Sequence, residues 1–286
     1  TTASTRTWSC WSEVQGHLLL PPPPAASSSP RSRAAAASKA GDWIILQEDN
    51  VEEFVGYDHL NAKVKITRYR KMTTAKEGDF YQLVFNLTPF YPEGGGQPGD
   101  EGELNLGNKT LNIIGTKYIN RELVHLTEKS DQLKEGDNIK IILDWSKRYS
   151  YMQVHTCLHL LCSLIPYPVT GGSIGFKRGR LDFDLETKPN KEELLDKLNK
   201  LILKNYEVSI SSIKDSELDE NPDLVRTMSV KPPRGFGEIR MIRIGDNVDY
   251  QPCGGTHVNR TSEILSVSSI KIENKGKMNK RIIVNL

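Results

Sequence analysis

Residues 145–164 have the sequence WSKRYSYMQVHTCLHLLCSL, and this stretch divides the chain into two parts of different character. The run predicts one helix from Trp145 to about Leu164, which ends there because Pro166 cannot continue it. Short strand-like runs with tight turns precede this helix, whereas helical and strand-like runs alternate after it. We therefore predict an α+β fold, with a small N-terminal β-barrel followed by an α+β core of helices packed on an antiparallel sheet.

The part before the helix, residues 58–144, contains runs with the alternating pattern of half-buried strands. The predicted strands are 62–72, 80–85, 104–106, 110–114 and 139–143. A Gly107-Asn108 turn separates two of these runs. Several short strands with tight turns and no convincing helix favour a small barrel.

The part after residue 144 is predicted to combine helices with a sheet over residues 145–286. A second helix is expected from Lys191 to Tyr206, with Asn190 and Glu193 placed as a capping box. Its apolar residues have the spacing of a helix that lies on a sheet. The predicted strands are 208–213, 238–244, 264–272 and 281–284.

Residues 1–40 differ in composition from the rest of the chain. They contain four successive prolines at 21–24, runs of serine and alanine, and one acidic residue, Glu13. Such a segment buries too little apolar surface to become ordered, so disorder is expected. Its serine and arginine content is also typical of an organelle transit peptide, although a plain disordered extension or upstream sequence explains the composition equally well. Residues 41–57 are expected to form a linker into the barrel.

The charge balance, the apolar runs and the cysteines of the chain limit its expected partners and compartment. Lysine and arginine number 38 against 36 acidic residues, a formal net charge of +2, which excludes binding to nucleic acid through overall charge but permits a local basic groove. No apolar run reaches 18 residues, so no membrane span is expected. The four irregularly spaced cysteines indicate reduced thiols. We expect a soluble protein in the cytoplasm or, if residues 1–40 are a transit peptide, in a plastid or mitochondrion.

Two pairs of residues have the spacing of metal ligands. His155 and His159 lie four apart in the predicted helix, so their imidazoles share one face. Cys253 and His257 bracket Gly254-Gly255-Thr256, where the glycines permit a tight turn. Either pair alone is often incidental, but three imidazoles and a thiolate together favour zinc. Cys157 points to the other side of the helix, so we expect it to pack in the core.

A glycine-rich loop lies at residues 88–102, with the sequence TPFYPEGGGQPGDEG. Three successive glycines allow backbone amides to converge, and the Gln97 amide can both donate and accept hydrogen bonds. The loop is neither a phosphate-binding P-loop nor a dinucleotide fingerprint. A binding loop and a wide hairpin connection remain equally open from these residues.

The glycine-rich loop, His155-Thr-Cys-Leu-His159 and Cys253-Gly-Gly-Thr-His257 together resemble the editing domain of alanyl-tRNA synthetase, and still more its free-standing AlaX relatives. The resemblance covers roughly residues 43–286. It implies zinc bound by four ligands, namely His155, His159, Cys253 and His257. It also implies that Gln97 and Thr88 belong to the editing pocket. Leu158 replaces a threonine common in full-length synthetases, which favours the free-standing branch.

The resemblance implies hydrolysis of mischarged Ser-tRNA(Ala), and more weakly Gly-tRNA(Ala), by a monomer or weak dimer. Too few residues follow His257 for an aminoacylation module, so a free-standing enzyme is expected. The candidate tRNA-binding residues are Lys177, Arg178, Arg180, Lys231 and Arg234. The alternative is an excised or degenerate editing module that acts as a non-catalytic, zinc-dependent tRNA-binding protein. A metalloprotease is excluded because Thr156 stands where the general-base glutamate would be.

Overall fold

The N-terminal part of the chain is built from strands. The computed structural model describes residues 39–46, 53–74, 78–107, 109–128, 139–227 and 237–286. The strands before residue 144 are β1 Lys39–Ala40, β2 Ile44–Ile45, β3 Glu53–Phe54, β4 Asn61–Val64, β5 Ile66–Thr74, β6 Gly78–Phe85, β7 Leu87–Thr88, β8 Gly102–Leu106, β9 Lys109–Ile119, β10 Glu122–Thr127 and β11 Ile139–Leu143. β1 therefore lies within the last two residues of the segment 1–40 that was predicted to be disordered.

Nine of these strands form one antiparallel sheet with the order β1-β5-β6-β10-β9-β8-β11-β4, in which β2 also pairs with β5. β3 and β7 form a separate parallel pair. The predicted closed barrel is not confirmed, because no pairing among the described strands joins β4 back to β5. The free edge of β5 is instead occupied by β1 and β2, which pair with Thr73 and Tyr69.

Two local features of this sheet differ from the predicted strands. The run 62–72 is two strands broken at Lys65, whose N–H donates to Asn86 Oδ1 at 2.8 Å. β9 extends five residues past the predicted end at Ile114 and returns as β10, which was not predicted. Asn120 and Arg121 have φ values of 52° and 72°, as in a type I′ hairpin turn. The turn lacks the Asn-Gly signal that makes such hairpins visible in sequence.

The sheet buries its own apolar core. Leu83, Leu104 and Ile141 are fully buried, and Phe90 from the glycine-rich loop packs among them. The alternation expected of half-buried strands is visible in β11, where buried Ile139, Ile141 and Leu143 alternate with more exposed residues.

The C-terminal part combines helices with antiparallel strands, as predicted, but the strands form two sheets instead of one. Its elements are α1 Trp145–Leu164, β12 Val169–Gly175, β13 Arg178–Asp184, α2 Lys191–Leu203, β14 Val208–Lys214, α3 Asp215–Glu220, β15 Glu238–Ile244, β16 Asp249–Pro252, β17 Ser269–Gly276 and β18 Asn279–Asn285. One sheet has the order β12-β13-β18-β17 and the other β14-β15-β16. Within the described ranges, every helix is too short or too polar to cross a membrane.

The predicted helices are confirmed with one shift of boundary. α1 has the predicted limits, and the Asp144 side chain caps it by accepting from Lys147 N. α2 begins after Asn190, which accepts from Glu193 N, but it ends at Leu203 because Asn205 has a left-handed φ of 54°.

Two other segments differ from the predictions. Residues 261–264 form a 3₁₀ turn, and the strand expected at 264–272 begins only at residue 269. The glycine-rich stretch 171–176 lies largely within β12, a strand that was not among those predicted.

A buried ion pair joins the glycine-rich loop to the first turn of α1. Arg148 Nε lies 2.8 Å from Asp100 Oδ2, and both side chains are 2% exposed. Arg148 also donates to the carbonyl oxygens of Gly56 and Pro89, at 2.7 and 2.9 Å. The loop is thereby fixed beside the helix that carries His155.

Candidate metal centre

Helix α1 and the loop after β16 bring four potential metal ligands together. The ligand atoms of His155, His159, Cys253 and His257 all lie within 4.8 Å of one another. Cys253 Sγ is 3.5 Å from His155 Nε2 and 3.4 Å from His257 Nε2. A Cβ atom on Gly255 would lie 2.1 Å from His155 Cε1, so only glycine fits at that position. The residue spacing predicted from sequence therefore corresponds to one cluster that could hold a metal ion.

Gln97 holds the outward nitrogen of His155. Its Oε1 lies 3.1 Å from His155 Nδ1 and accepts from Thr256 N, while its Nε2 donates to Thr256 Oγ1 at 2.9 Å. Because Oε1 can only accept, His155 donates from Nδ1, and Nε2 is the nitrogen left for a metal. Gln97 is fully buried and connects α1 to the Cys253–His257 loop.

Asp249 and Gln251, both in β16, surround the outward nitrogen of His159. Asp249 Oδ2 lies 2.8 Å from His159 Nδ1, and Gln251 Nε2 donates to the same oxygen at 2.9 Å. Gln251 Nε2 is also 3.0 Å from His159 Nδ1, but two donors cannot share a bond, so we assign the imidazole hydrogen to Nδ1. A carboxylate that orients a histidine in this way is typical of metal sites.

Thr156 performs the same role for His257. Its hydroxyl donates to Met152 O at 2.9 Å, so its oxygen is free to accept. His257 Nδ1 lies 3.2 Å from this oxygen, and Val258 N donates to it at 3.3 Å. All three imidazoles thus commit Nδ1 to an acceptor outside the cluster and present Nε2 to the space beside the Cys253 thiol. Three imidazole nitrogens and a thiolate suit a divalent metal of borderline softness.

The protonation states of the cluster follow from burial and from its own charges. Burial raises the pKa of Cys253, but the charges of His155 and His257 outweigh burial and hold the pKa well below its ordinary value. Burial, reinforced by His155, keeps the pKa of His257 well below 6.5. Burial also lowers the pKa of His159, but hydrogen bonds to Asp249 and Cys253 raise it to about 10. A metal ion bound at His159 Nε2 would therefore displace a proton.

The backbone of the Cys253–His257 loop is held by Tyr57 and Arg240. Arg240 Nη1 donates to the carbonyl oxygens of Cys253 and Gly255, at 2.7 and 3.0 Å. Tyr57 Oη donates to the intervening Gly254 carbonyl at 2.7 Å. The Arg240 guanidinium carbon lies 4.3 Å from the centroid of the Tyr57 ring, so the two side chains support each other. Three successive carbonyl groups of the loop are therefore fixed.

Thr88 is placed in a buried hydrogen-bond network. Its Oγ1 accepts from Phe90 N at 3.1 Å and lies 2.8 Å from His125 Nε2. His125 is fully buried, and burial lowers its pKa to about 3, so the ring is neutral. If His125 carries its hydrogen on Nε2, it donates to Thr88 Oγ1, and the Thr88 hydroxyl hydrogen is then available to a ligand. In the other tautomer the Thr88 hydroxyl donates to His125 Nε2 instead.

The five basic residues predicted to contact tRNA fall into three groups. Lys177 lies in the turn between β12 and β13, Arg178 is the first residue of β13, and both are exposed. Arg180 is ion-paired with Asp182 at 2.8 Å. Lys231 and Arg234 lie outside the described residues. Cys157 packs in the core as predicted, and burial raises its pKa to about 12.

Sequence reasoning did not identify five residues that support the cluster: Tyr57, Thr156, Arg240, Asp249 and Gln251. Asp249 and Gln251 had a usable signal, since two polar residues two apart in a strand just before Cys253 lie on one face. Tyr57 lies 197 positions from the carbonyl that it binds, and no local pattern indicates such a contact.

Comparisons with known proteins agree with this arrangement. Residues 25–147 match the family described as tRNA synthetases class II (A), and residues 239–283 match the threonyl and alanyl tRNA synthetase second additional domain. The first match begins ahead of residue 43, where the resemblance was expected to start.

Individual relatives include free-standing proteins and synthetases. The chain is 33% identical over 225 residues to the alanyl-tRNA editing protein AlaX-M of Methanosarcina barkeri, covering 75% of this chain and 92% of that protein. It is 32% identical over 214 residues to AlaX-L of Pyrococcus horikoshii, covering 71% of this chain and 50% of that protein. Alanine–tRNA ligase of Christiangramia forsetii is 35% identical over 233 residues, but the match spans only 26% of that enzyme. On this similarity, the chain belongs to the AlaX family of alanyl-tRNA editing proteins.

Proposed function

We propose that this chain is a trans-editing deacylase that hydrolyses Ser-tRNA(Ala), with Gly-tRNA(Ala) as a weaker substrate. The observation that carries the proposal is the cluster in which one ligand atom each from His155, His159, Cys253 and His257 lies within 4.8 Å of the others. The match to nearly the full length of a protein named as an alanyl-tRNA editing protein supports it.

We infer that the ion is zinc, because the four donors are those of common zinc sites. Bound there, zinc would supply Lewis-acid polarisation to water or to the substrate. The reaction adds water to the ester carbonyl carbon and breaks its bond to the ribose oxygen, which takes a proton. The products are serine and intact tRNA. In this scheme Gln97 is a positioning residue, since its amide contacts His155 and Thr256.

Selectivity is assigned to Thr88. A synthetase pocket built for alanine cannot strongly reject a side chain with one added hydroxyl. A second site that hydrogen-bonds this hydroxyl favours the seryl ester over the alanyl ester, because bound alanine would leave a buried polar group of the site unpaired. With His125 donating from Nε2, Thr88 accepts from Phe90 and His125 and keeps its own hydrogen for the seryl oxygen.

The tRNA itself would be held through its phosphates. We propose contacts from Lys177, Arg178, Arg180, Lys231 and Arg234, of which the first three lie on or beside the edge hairpin β12–β13.

The direct test is to incubate the full chain with Ser-tRNA(Ala) and Ala-tRNA(Ala), with and without a chelator. We expect rapid release of serine, slow release of alanine, and loss of both after chelation that zinc restores. Binding of tRNA with no hydrolysis of either ester would instead establish a non-catalytic tRNA-binding module.

A further inference from the structure

A concave surface lies on the face of the β12-β13-β18-β17 sheet that the helices leave open. It encloses about 440 Å³ and is lined by Phe176, Arg178, Arg180, Glu273 and Arg281, among others. Helix α1 packs against the opposite face, where Val154 and Leu158 contact Gly179. The alternation of β13 therefore sends Arg178 and Arg180 outward. We call this surface the arginine face.

The arginine face carries more positive charge than its acidic residues neutralise. Asp182 is bound by Arg180 at 2.8 Å and by Arg281 at 2.7 Å. Glu273 is bound by Lys271 at 2.8 Å and by Lys275 at 3.4 Å.

Asp182 and Glu273 thus each serve two cations. Arg178 and Lys177 have no acidic partner within the part of the chain that the structure describes. A surface with this imbalance favours a polyanion.

An exposed aromatic ring stands at one end of the arginine face. Phe176, at the tip of the β12–β13 hairpin, is 54% exposed. The tip is fixed, because Lys177 N donates to Ser150 Oγ at 2.8 Å and Leu286 N donates to Lys177 O at 2.9 Å. A large apolar ring held rigidly in solvent beside cations has the properties of a base-stacking platform.

The same hairpin adjoins the candidate metal centre. β12 is the edge strand of its sheet, and Ile174 N donates to Gly96 O at 2.8 Å. The next residue, Gln97, contacts His155. Ser150, which holds the hairpin tip, precedes His155 by five residues of α1, a rise of roughly 7–8 Å.

We propose that the arginine face binds the unpaired nucleotides that precede the 3′-terminal adenosine of tRNA. Phe176 stacks on one base, while Arg178 and its neighbours contact the phosphates. The proposal rests on the proposed function for the position of the 3′ end, but its test measures binding of uncharged tRNA. A failure of hydrolysis and a failure of this surface are therefore separate results.

The first experiment compares Phe176→Leu with Tyr167→Leu. Tyr167 is an aromatic residue of similar exposure, 48%, just before the opposite end of β12. We expect Phe176→Leu to weaken binding of uncharged tRNA(Ala) about tenfold and Tyr167→Leu to leave it unchanged. With a tRNA that lacks its unpaired 3′ nucleotides, the Phe176→Leu effect should vanish. An equal loss with both RNAs, or none with intact tRNA, would overturn the stacking assignment.

The second experiment compares Arg178→Gln with Lys200→Gln. Lys200 lies on α2, on the helical side of the sheet, and is 70% exposed. Because each phosphate contact releases a counterion, Arg178→Gln should reduce the slope of log affinity against log salt by about one, and Lys200→Gln should not. Wild-type protein that binds no tRNA, or equal slopes for both variants, would refute the arginine face as a nucleic-acid site.

Discussion

Single side chains around the candidate metal ligands decide which imidazole nitrogen faces the cluster. Among the described acceptors for the three Nδ1 hydrogens, which are Gln97, Thr156 and Asp249, only Asp249 is charged. In Asp249→Asn the amide can donate to His159 Nδ1. This favours the tautomer with its hydrogen on Nε2, the nitrogen that faces the cluster. We expect zinc affinity to fall about 10- to 100-fold with the fold intact. Competition with a fluorescent chelator measures this affinity. The control is Asp246→Asn, an exposed residue of the preceding turn, and equal affinities for the two variants would contradict the role of Asp249.

Thr88→Val tests selectivity because valine keeps the side-chain shape and removes the hydroxyl. Serine loses a hydrogen bond, and alanine no longer leaves the threonine unpaired. At about 1 kcal/mol each, the ratio of Ser-tRNA to Ala-tRNA deacylation should fall roughly 10- to 30-fold in single-turnover assays. Phe90 N and His125 also lose a partner, so stability should fall by about 1–3 kcal/mol.

Thr67→Val is the matched control for that change. Thr67 is equally buried and donates to Val84 O within the nine-stranded sheet, so its loss should reduce stability without changing the ratio. If the ratio of Ser-tRNA to Ala-tRNA deacylation is unchanged in folded, zinc-loaded Thr88→Val protein, the Thr88 hydroxyl serves only its hydrogen bonds to Phe90 N and His125.

His125 makes stability depend on pH. Burial lowers its pKa to about 3 from the model-peptide value of 6.5, so protonation opposes folding. Its contribution is complete above pH 6.5 and is lost as pH falls toward 3, by up to about 1.4 kcal/mol per pH unit. In denaturant titrations, the unfolding free energy of His125→Gln should fall less than that of the wild type between pH 6.5 and 4. The unfolding free energy of His59→Gln, a change at an exposed histidine, should fall as much as that of the wild type. The same pH dependence in His125→Gln and the wild type would reject the assignment.

At the scale of elements, the joint between the glycine-rich loop and α1 depends on one buried ion pair. Arg148→Met leaves Asp100 as an uncompensated buried carboxyl, so we expect a loss of about 3–5 kcal/mol in unfolding free energy. Adding Asp100→Asn removes that charge and should restore part of the loss, although Gly56 and Pro89 still lack their donor. Additive losses in the double-mutant cycle would show that the two residues act independently.

Elements with strong local signals were predicted, and those defined by distant pairing were not. α1 was predicted at its observed limits because its stop signal, Pro166, acts locally, and the Asp144 cap that the structure adds is local as well. β10 was missed because its hairpin turn at Asn120-Arg121 lacks a glycine signal. The open edge of the first sheet depends on β1 and β2, which pair with the more distant β5. Likewise the four ligands were visible as two short spacings, whereas Arg240 and Tyr57 reach the ligand loop through contacts that only the assembled fold creates.

At the scale of the whole molecule, the cluster ties α1 to a loop nearly one hundred residues later, so metal binding should stabilise the fold. We expect one zinc per chain by elemental analysis and none in Cys253→Ala. Cys162→Ala is the control, because that thiol is buried in the core and its loss should leave one equivalent bound. At free zinc 100 times the dissociation constant, the gain in unfolding free energy should be about 2.7 kcal/mol. Chelation should therefore lower the melting temperature of the wild type and of Cys162→Ala, but not that of Cys253→Ala. Full zinc occupancy in Cys253→Ala would remove the thiolate from the ligand set, and a wild type without stoichiometric metal would reject the site itself.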